Sequence, residues 1–147
     1  MDRINQNILQ ELGRNGRISN LDLAEKVGLS PSACLRRVQD LERRGVIKGY
    51  RVVLDKTALG IGFVAYSTVG LNSHTKASQE AFERAMSVAP EVVECHNITG
   101  TVEYLLRIEV ADLIEYKRFH TDVVGTLPQV NSITSYVVMG SPKDMRA

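Results

Sequence analysis

Arg36, Arg37, Arg43 and Arg44 crowd into one short stretch of the chain, interleaved with Ser32 and Gln39. Guanidinium groups pair with phosphate oxygens and with the acceptor edge of guanine, and Ser and Gln hydrogen-bond base edges, so this set of side chains suits a nucleic-acid duplex. The chemistry works only if the groups share one side of a rigid rod. With Cys34 at the centre of an inward face, steps of about 100° per residue return Val38 and Leu41 to that face. Ser32, Arg36, Gln39 and Arg43 then fall on the opposite side, with Ser30 at the head of the rod. The early positions of such a helix reach base edges, which favours Ser32, Arg36 and Gln39 for readout. Arg37 and Arg44 flank the apolar face and are assigned to phosphate, with Arg17 and Arg51 adding phosphate contacts from a neighbouring turn and strand.

The flanking sequence supplies the elements that would hold this rod. Ser30 is a helix cap, with Pro31 at the first helical position, where its missing N–H costs nothing. The helix is predicted from Pro31 to about Arg44 and ends at Gly45. Before it, Ser19 and Asp22 have capping-box spacing for a shorter helix carrying Leu21, Ala24 and Val27, which Gly28 terminates. Asn5 is predicted to cap a first helix with Ile8, Leu9 and Leu12 inward, ending at the Arg14-Asn15-Gly16 turn. Two helices joined by a tight turn, the second loaded with arginine, form a helix-turn-helix. Ile4, Ile8, Leu12, Leu21, Val27, Val38 and Leu41 are its predicted core. Val46 to Leu54 alternates as a strand, read as a wing or as the start of the onward connection.

Charge divides the chain. Residues 1–60 hold 11 Lys/Arg against 7 Asp/Glu, whereas residues 61–147 hold 7 against 10. A basic half fits a phosphate partner, and the acidic half is free to meet something else. There is no apolar run of the 18 or so residues that cross a bilayer and no signal-peptide pattern, so the expected compartment is the cytoplasm. Cys34 and Cys95 lack metal-ligand spacing and read as small buried hydrophobes. His96 follows Cys95 in a strand, so the two side chains point to opposite faces; His74 lies in a polar loop and His120 on a helix surface. No nucleophile–base arrangement, phosphate-cradling loop or carboxylate pair is evident, which predicts neither catalysis nor a cofactor.

After residues 55–62, a glycine-containing linker, the pattern changes. Phe63–Leu71, Val92–Thr99, Tyr104–Val110 and Val130–Met139 read as strands, and helices are predicted over Ser78–Ala89 and from the Asp112 cap onward. The order β-α-β-β-α-β is the ferredoxin-like pattern, an antiparallel sheet with two helices on one face. The fold class is therefore α+β: a winged helix-turn-helix three-helix bundle over residues 1–54, then a ferredoxin-like βαββαβ domain over 63–147. An apolar open sheet face would be a liability, so a second copy of the chain is expected to cover it.

The run LSPSACLRRVQDLERRGVIKGYRVVLD, from Leu29 to Asp55, resembles the recognition helix and following strand of the Lrp/AsnC family of feast/famine regulators. NITGTVEYLLRIEV, from Asn97 to Val110, is similar to that family's second-domain signature, a Thr-Gly turn leading into an apolar strand. The resemblance spans nearly the whole chain. It implies a DNA-binding transcriptional regulator whose dimers assemble into tetramers, octamers or larger rings, and whose second domain takes a small effector, commonly an amino acid. Gly100, Thr101, Val102, Glu103 and Tyr104 are the effector candidates, with amide N–H groups near Gly100 and Thr101 for a carboxylate and Glu103 for an ammonium. By analogy with the family, Thr134 and Ser135 line the opposite wall. Relatives have an aromatic residue and Asp where this chain has Val102 and Glu103, and the added methylene pushes the carboxylate roughly 1.5 Å further out.

Two other functions compete with this reading. Ferredoxin-like domains host many chemistries, so a ligand-binding or enzymatic module is one alternative. An architectural DNA-binding protein with little sequence preference is the other, differing from a regulator only in its specificity ratio.

Overall fold

Three short polar side chains start the first three helices of the computed structural model, which describes residues 1–144. Asp2 accepts a hydrogen bond from the Asn5 amide and opens α1 (Arg3–Arg14); Ser19 accepts from Asp22 and opens α2 (Asn20–Val27); Ser30 accepts from Ala33 and opens α3 (Pro31–Arg43). The first cap is therefore Asp2, and Asn5, predicted in that role, is the residue whose amide it satisfies. Gly28 ends α2 with φ near 70°, a left-handed conformation that suits glycine, and Gly45 does the same after α3.

Ile8, Leu23, Ala24, Cys34 and Leu41 form the buried centre of this bundle, with Ile4, Leu12, Val27, Val38 and Ile47 packed around it. Leu21 is not part of it. With the cap at Ser19, the inward face of α2 falls on Leu23, Ala24 and Val27, and Leu21 is left 67% exposed. The bundle lies in one compact unit, residues 1–53, and a second unit begins at Leu54.

Residues 46–54 do not form the predicted strand. Val46 and Ile47 donate to the Leu41 carbonyl, and Tyr50 donates its hydroxyl to Glu42 Oε1 at 2.8 Å, so this stretch first folds back against the end of α3. No strand lies beside it among the described residues, and Val52 and Val53 are both 73% exposed. The 55–62 stretch, predicted as a linker, is a hydrogen-bonded turn fixed to the second unit. Lys56 pairs with Glu109, and the Gly62 amide donates to the Val110 and Ala111 carbonyls.

The second unit contains β1 (Phe63–Leu71), α4 (Lys76–Val88), β2 (Val92–Asn97), β3 (Tyr104–Val110), α5 (Leu113–Arg118) and β4 (Val130–Val137). A π turn over Phe119–Val123 and a 3₁₀ turn over Val124–Thr126 extend α5. The strand order is β2-β3-β1-β4 with every pairing antiparallel, the ferredoxin-like arrangement. One sheet face carries Ala65, Val69, Leu106 and Ile108, which pack with Phe82 and Met86 of α4 and with Tyr116 and Phe119 around α5. Cys95 pairs in register with Leu106, but β2 is an edge strand and the thiol is exposed, contrary to its predicted burial. Cys34 is buried, which pushes its thiol pKa up. No helix among the described residues is long and apolar enough to cross a membrane.

The open sheet face is polar rather than apolar. Arg107, only 7% exposed, donates to Tyr66 Oη at 2.7 Å and to Glu109 Oε1 at 2.9 Å. Thr68, Thr134 and Tyr136 share that face by register. Burial alone would raise the Glu109 pKa, yet hydrogen bonds from Lys56 and Arg107 outweigh it and hold the carboxyl below its ordinary range. A depressed carboxylate contributes stability that is complete above its unfolded pKa and is lost as pH falls through the folded value. Glu109→Gln should therefore lower stability by about 1–3 kcal/mol at neutral pH. Melting temperatures followed down through the carboxylate range should show the gap to wild type closing; parallel profiles would remove this ion pair from the stability of the unit.

Candidate nucleic-acid interface and effector turn

The turn between α2 and α3 sets how the arginine-bearing helix is presented. The Leu29 amide donates to the Ala24 carbonyl, and Asn20 Nδ2 donates to the Pro31 carbonyl at 2.8 Å, tying the start of α2 to the start of α3. Cys34 and Leu41 anchor one flank of α3 in the bundle. Ser32, Arg36, Gln39 and Arg43 all lie exposed on the other flank, and Ser32 Oγ sits 3.3 Å from Ser30 Oγ.

These side chains are not equally free. Arg36 makes no hydrogen bond or ion pair with any described residue. Arg43 pairs with Asp40 Oδ1, and Arg44 Nη1 lies 3.3 Å from Asp40 Oδ2. Those two guanidinium groups, Arg43 first, hold the Asp40 carboxyl below its usual pKa. Any phosphate approaching Arg43 or Arg44 must therefore compete with Asp40. Arg37 departs from its assignment to phosphate: its Nη1 donates to Asp2 Oδ2 at 2.6 Å and to Asn5 Oδ1 at 3.0 Å, stapling α3 to the start of α1. That bond, with the Asn5 amide, keeps the Asp2 carboxyl below its ordinary pKa. Arg17 and Arg51 are exposed, and their guanidinium groups have no partner among the described residues. Lys48, which sequence reasoning passed over, is exposed just beyond α3 on the same terms.

In the second unit the predicted effector residues separate onto the two faces of the sheet. Tyr104 is 1% exposed, its ring 4.6 Å from that of Phe82, and its hydroxyl donates to Glu83 Oε1 at 2.7 Å. Burial first, then the Glu83 carboxylate, push this phenol well above its ordinary pKa. Ser135 pairs in register with Ser67 and bonds Ser67 Oγ and Tyr116 Oη, so it too belongs to the helix-covered face. Thr134 points the other way, opposite Thr68. Neighbours on a strand alternate in direction, so Thr134 and Ser135 cannot line one wall. Tyr104 is a core residue, whereas Ser135 is exposed on the edge strand β4, with only its hydroxyl turned to that face.

The turn itself keeps its polar groups available. Gly100 has φ near 126°, and the turn closes through Ile98 N to Glu103 O at 2.8 Å. The amides of Gly100, Thr101 and Val102 donate to no described residue. Glu103 is held differently. Its Oε2 accepts from the Leu71 amide at 2.6 Å and its Oε1 lies 3.0 Å from His74 Nδ1. Beside it Gly70 lets Ser132 approach closely, because a Cβ there would fall 2.5 Å from Ser132 Oγ and 3.8 Å from Glu103 Oε2. Gly70, His74, Ser132 and the Leu71 amide carried no signal in the sequence, since only strand pairing brings them to Glu103.

Residues 1–48 match the model of a winged helix-turn-helix DNA-binding domain, and residues 64–147 match that of the Lrp/AsnC ligand binding domain. The leucine-responsive regulatory protein of Escherichia coli K12 is 40% identical over 143 residues, which cover 97% of this chain and 87% of that protein. A transcriptional regulator of Neisseria meningitidis, solved as its L-Met complex, superposes with a TM-score of 0.94 at 33% identity, covering 98% of this chain and 93% of that one. An AsnC family regulator from Agrobacterium tumefaciens gives 0.92 at 32% identity, covering 98% and 94%. Both units are thus matched in the order in which they occur, and the chain belongs to the Lrp/AsnC family of effector-modulated, DNA-binding transcriptional regulators.

Proposed function

We propose that this regulator works in the cytoplasm as a symmetric dimer that sets two copies of α3 into successive major grooves, about 34 Å apart on a roughly palindromic site. Ser32, Arg36 and Gln39 read base edges, while Arg17, Arg43, Arg44 and Arg51 meet phosphate. The observation that carries this reading is the exposed flank of α3, on which Arg36 has no partner within the described chain. The exposed, unpaired backbone around Val52 and Val53 supports association of two copies. Tetramers, octamers or larger rings would wrap or bend the DNA and add recognition through its shape.

The effector in this proposal is an α-amino acid at the turn of residues 100–103, its carboxylate on the free amides and its ammonium on Glu103. It acts by favouring one assembly over another, which requires different affinity for the two. L-Met, bound in the Neisseria relative, and L-Leu, suggested by the name of the Escherichia coli relative, are the first ligands to try. Thermal-shift screening of the twenty amino acids tests the reading. A ligand at a hundred times its dissociation constant should stabilise the protein by about 2.7 kcal/mol. If no amino acid moves the melting curve or the assembly state, this effector assignment is wrong.

A further inference from the structure

Glu103 is a carboxylate already in use. Its side chain is 14% exposed, and the Leu71 amide fixes one oxygen. The other oxygen is covered by an imidazole that is itself 77% exposed. The two partners differ in how firmly they are held. Leu71 is 5% exposed at the bulge where β1 leaves its register with β4. His74 extends from the loop between β1 and α4, whose ends are tied down on either side of it. Asn72 bonds Gln129 O and Pro128 O, and Thr75 caps α4 through the Ser78 amide. The loop is therefore placed, while the ring is free to rotate about its own side-chain bonds into solvent.

A nitrogen donor resting on the outer oxygen of a largely buried carboxylate occupies the position that a ligand's ammonium would need. Gly70 brings the Ser132 hydroxyl close to the same point, since a Cβ there would fall 2.5 Å from Ser132 Oγ and 3.8 Å from Glu103 Oε2. We infer that His74 is a displaceable stand-in for the ligand's ammonium on Glu103 Oε1, and that this residue sets how tightly an α-amino acid binds. The inference rests on the effector reading above. It makes the free chain a self-occupied pocket in which the ligand exchanges one N–H···O contact for another. Affinity then reports the difference between the two contacts rather than the whole of the new one. The imidazole contact is exposed and therefore weak, so its removal favours the ligand by about two- to fivefold.

Calorimetric titration of the full chain with L-Met, L-Leu and their N-acetyl derivatives separates the possibilities. His74→Ala should bind whichever free amino acid the wild type binds about two- to fivefold more tightly. His74→Lys, which sets an ammonium against the same oxygen, should bind it more weakly than wild type. The N-acetyl derivatives, having no ammonium, should show no dependence on residue 74. A merely structural histidine would lose affinity in both variants and for both ligand forms. If Glu103→Gln abolishes binding while His74→Ala leaves it unchanged or weaker, the stand-in role is overturned and the effector site stands. If wild type binds neither free amino acid, or Glu103→Gln binds as well as wild type, the effector reading falls and the inference with it.

Discussion

Arg36→Ala should weaken binding to the preferred DNA site by about 1–3 kcal/mol, roughly five- to 150-fold, and relax the preference at one base pair. The guanidinium is exposed, lies opposite the Cys34–Leu41 anchor and has no described partner to which it must return. Removing it should therefore take away a contact to DNA without costing the free protein an interaction. Arg44→Ala is the matched comparison. It should weaken every sequence alike and lower the salt slope by about one unit. Its effect is moderated because Asp40 already holds that guanidinium in the free chain. Fluorescence anisotropy on site variants at two or more salt concentrations separates the two behaviours. Equal, sequence-independent losses in both variants would reduce Arg36 to a phosphate contact.

Leu41→Ala should remove DNA binding for a different reason. Leu41 is fully buried in a bundle with only four other buried apolar residues, Ile8, Leu23, Ala24 and Cys34. Truncating a buried leucine costs about 2–5 kcal/mol through lost transfer energy and the cavity left behind. A small unit has little stability in reserve, about 5 kcal/mol at the low end of the range for folded domains. The variant should lose helical signal from the first unit and its affinity for DNA, while the second unit, with its own core around Phe82, Tyr104 and Leu106, keeps its melting transition and its effector. Intact DNA affinity in this variant would mean that the bundle does not depend on this packing to present α3.

What could be read from the sequence follows the range of the forces involved. The helix-turn-helix was legible because its determinants are local: Ser19 and Ser30 satisfy amides three positions on, Pro31 fits only the first turn, and Gly28 adopts the left-handed conformation the turn needs. The β-rich run Phe63–Leu71 and the strand Tyr104–Val110 after the Gly100-Thr101 turn were legible for the same reason. Local reasoning slipped where two capping residues lay close together, Asp2 and Asn5, and where a phase error on α2 put Leu21 inward in place of Leu23. The other departures depend on partners distant in sequence. Arg37 was given to phosphate because Asp2 lies 35 positions away. The Val46–Leu54 strand failed because no neighbouring strand lies beside it among the described residues. Glu103 was recognised as a carboxylate of interest, but its contact with His74 depends on β1 and β3 pairing.

Chemical protection of guanine N7 is the decisive measurement, because that atom faces the major groove. With the full chain bound to a selected site, protected guanines are expected in two patches separated by about one helical turn, on the same face of the duplex. Arg36→Ala should lose part of that protection while the protein remains bound at low salt. Tight binding with every guanine N7 still reactive would contradict the placement of the α3 flank in the major groove, and with it the central claim about how this chain recognises DNA.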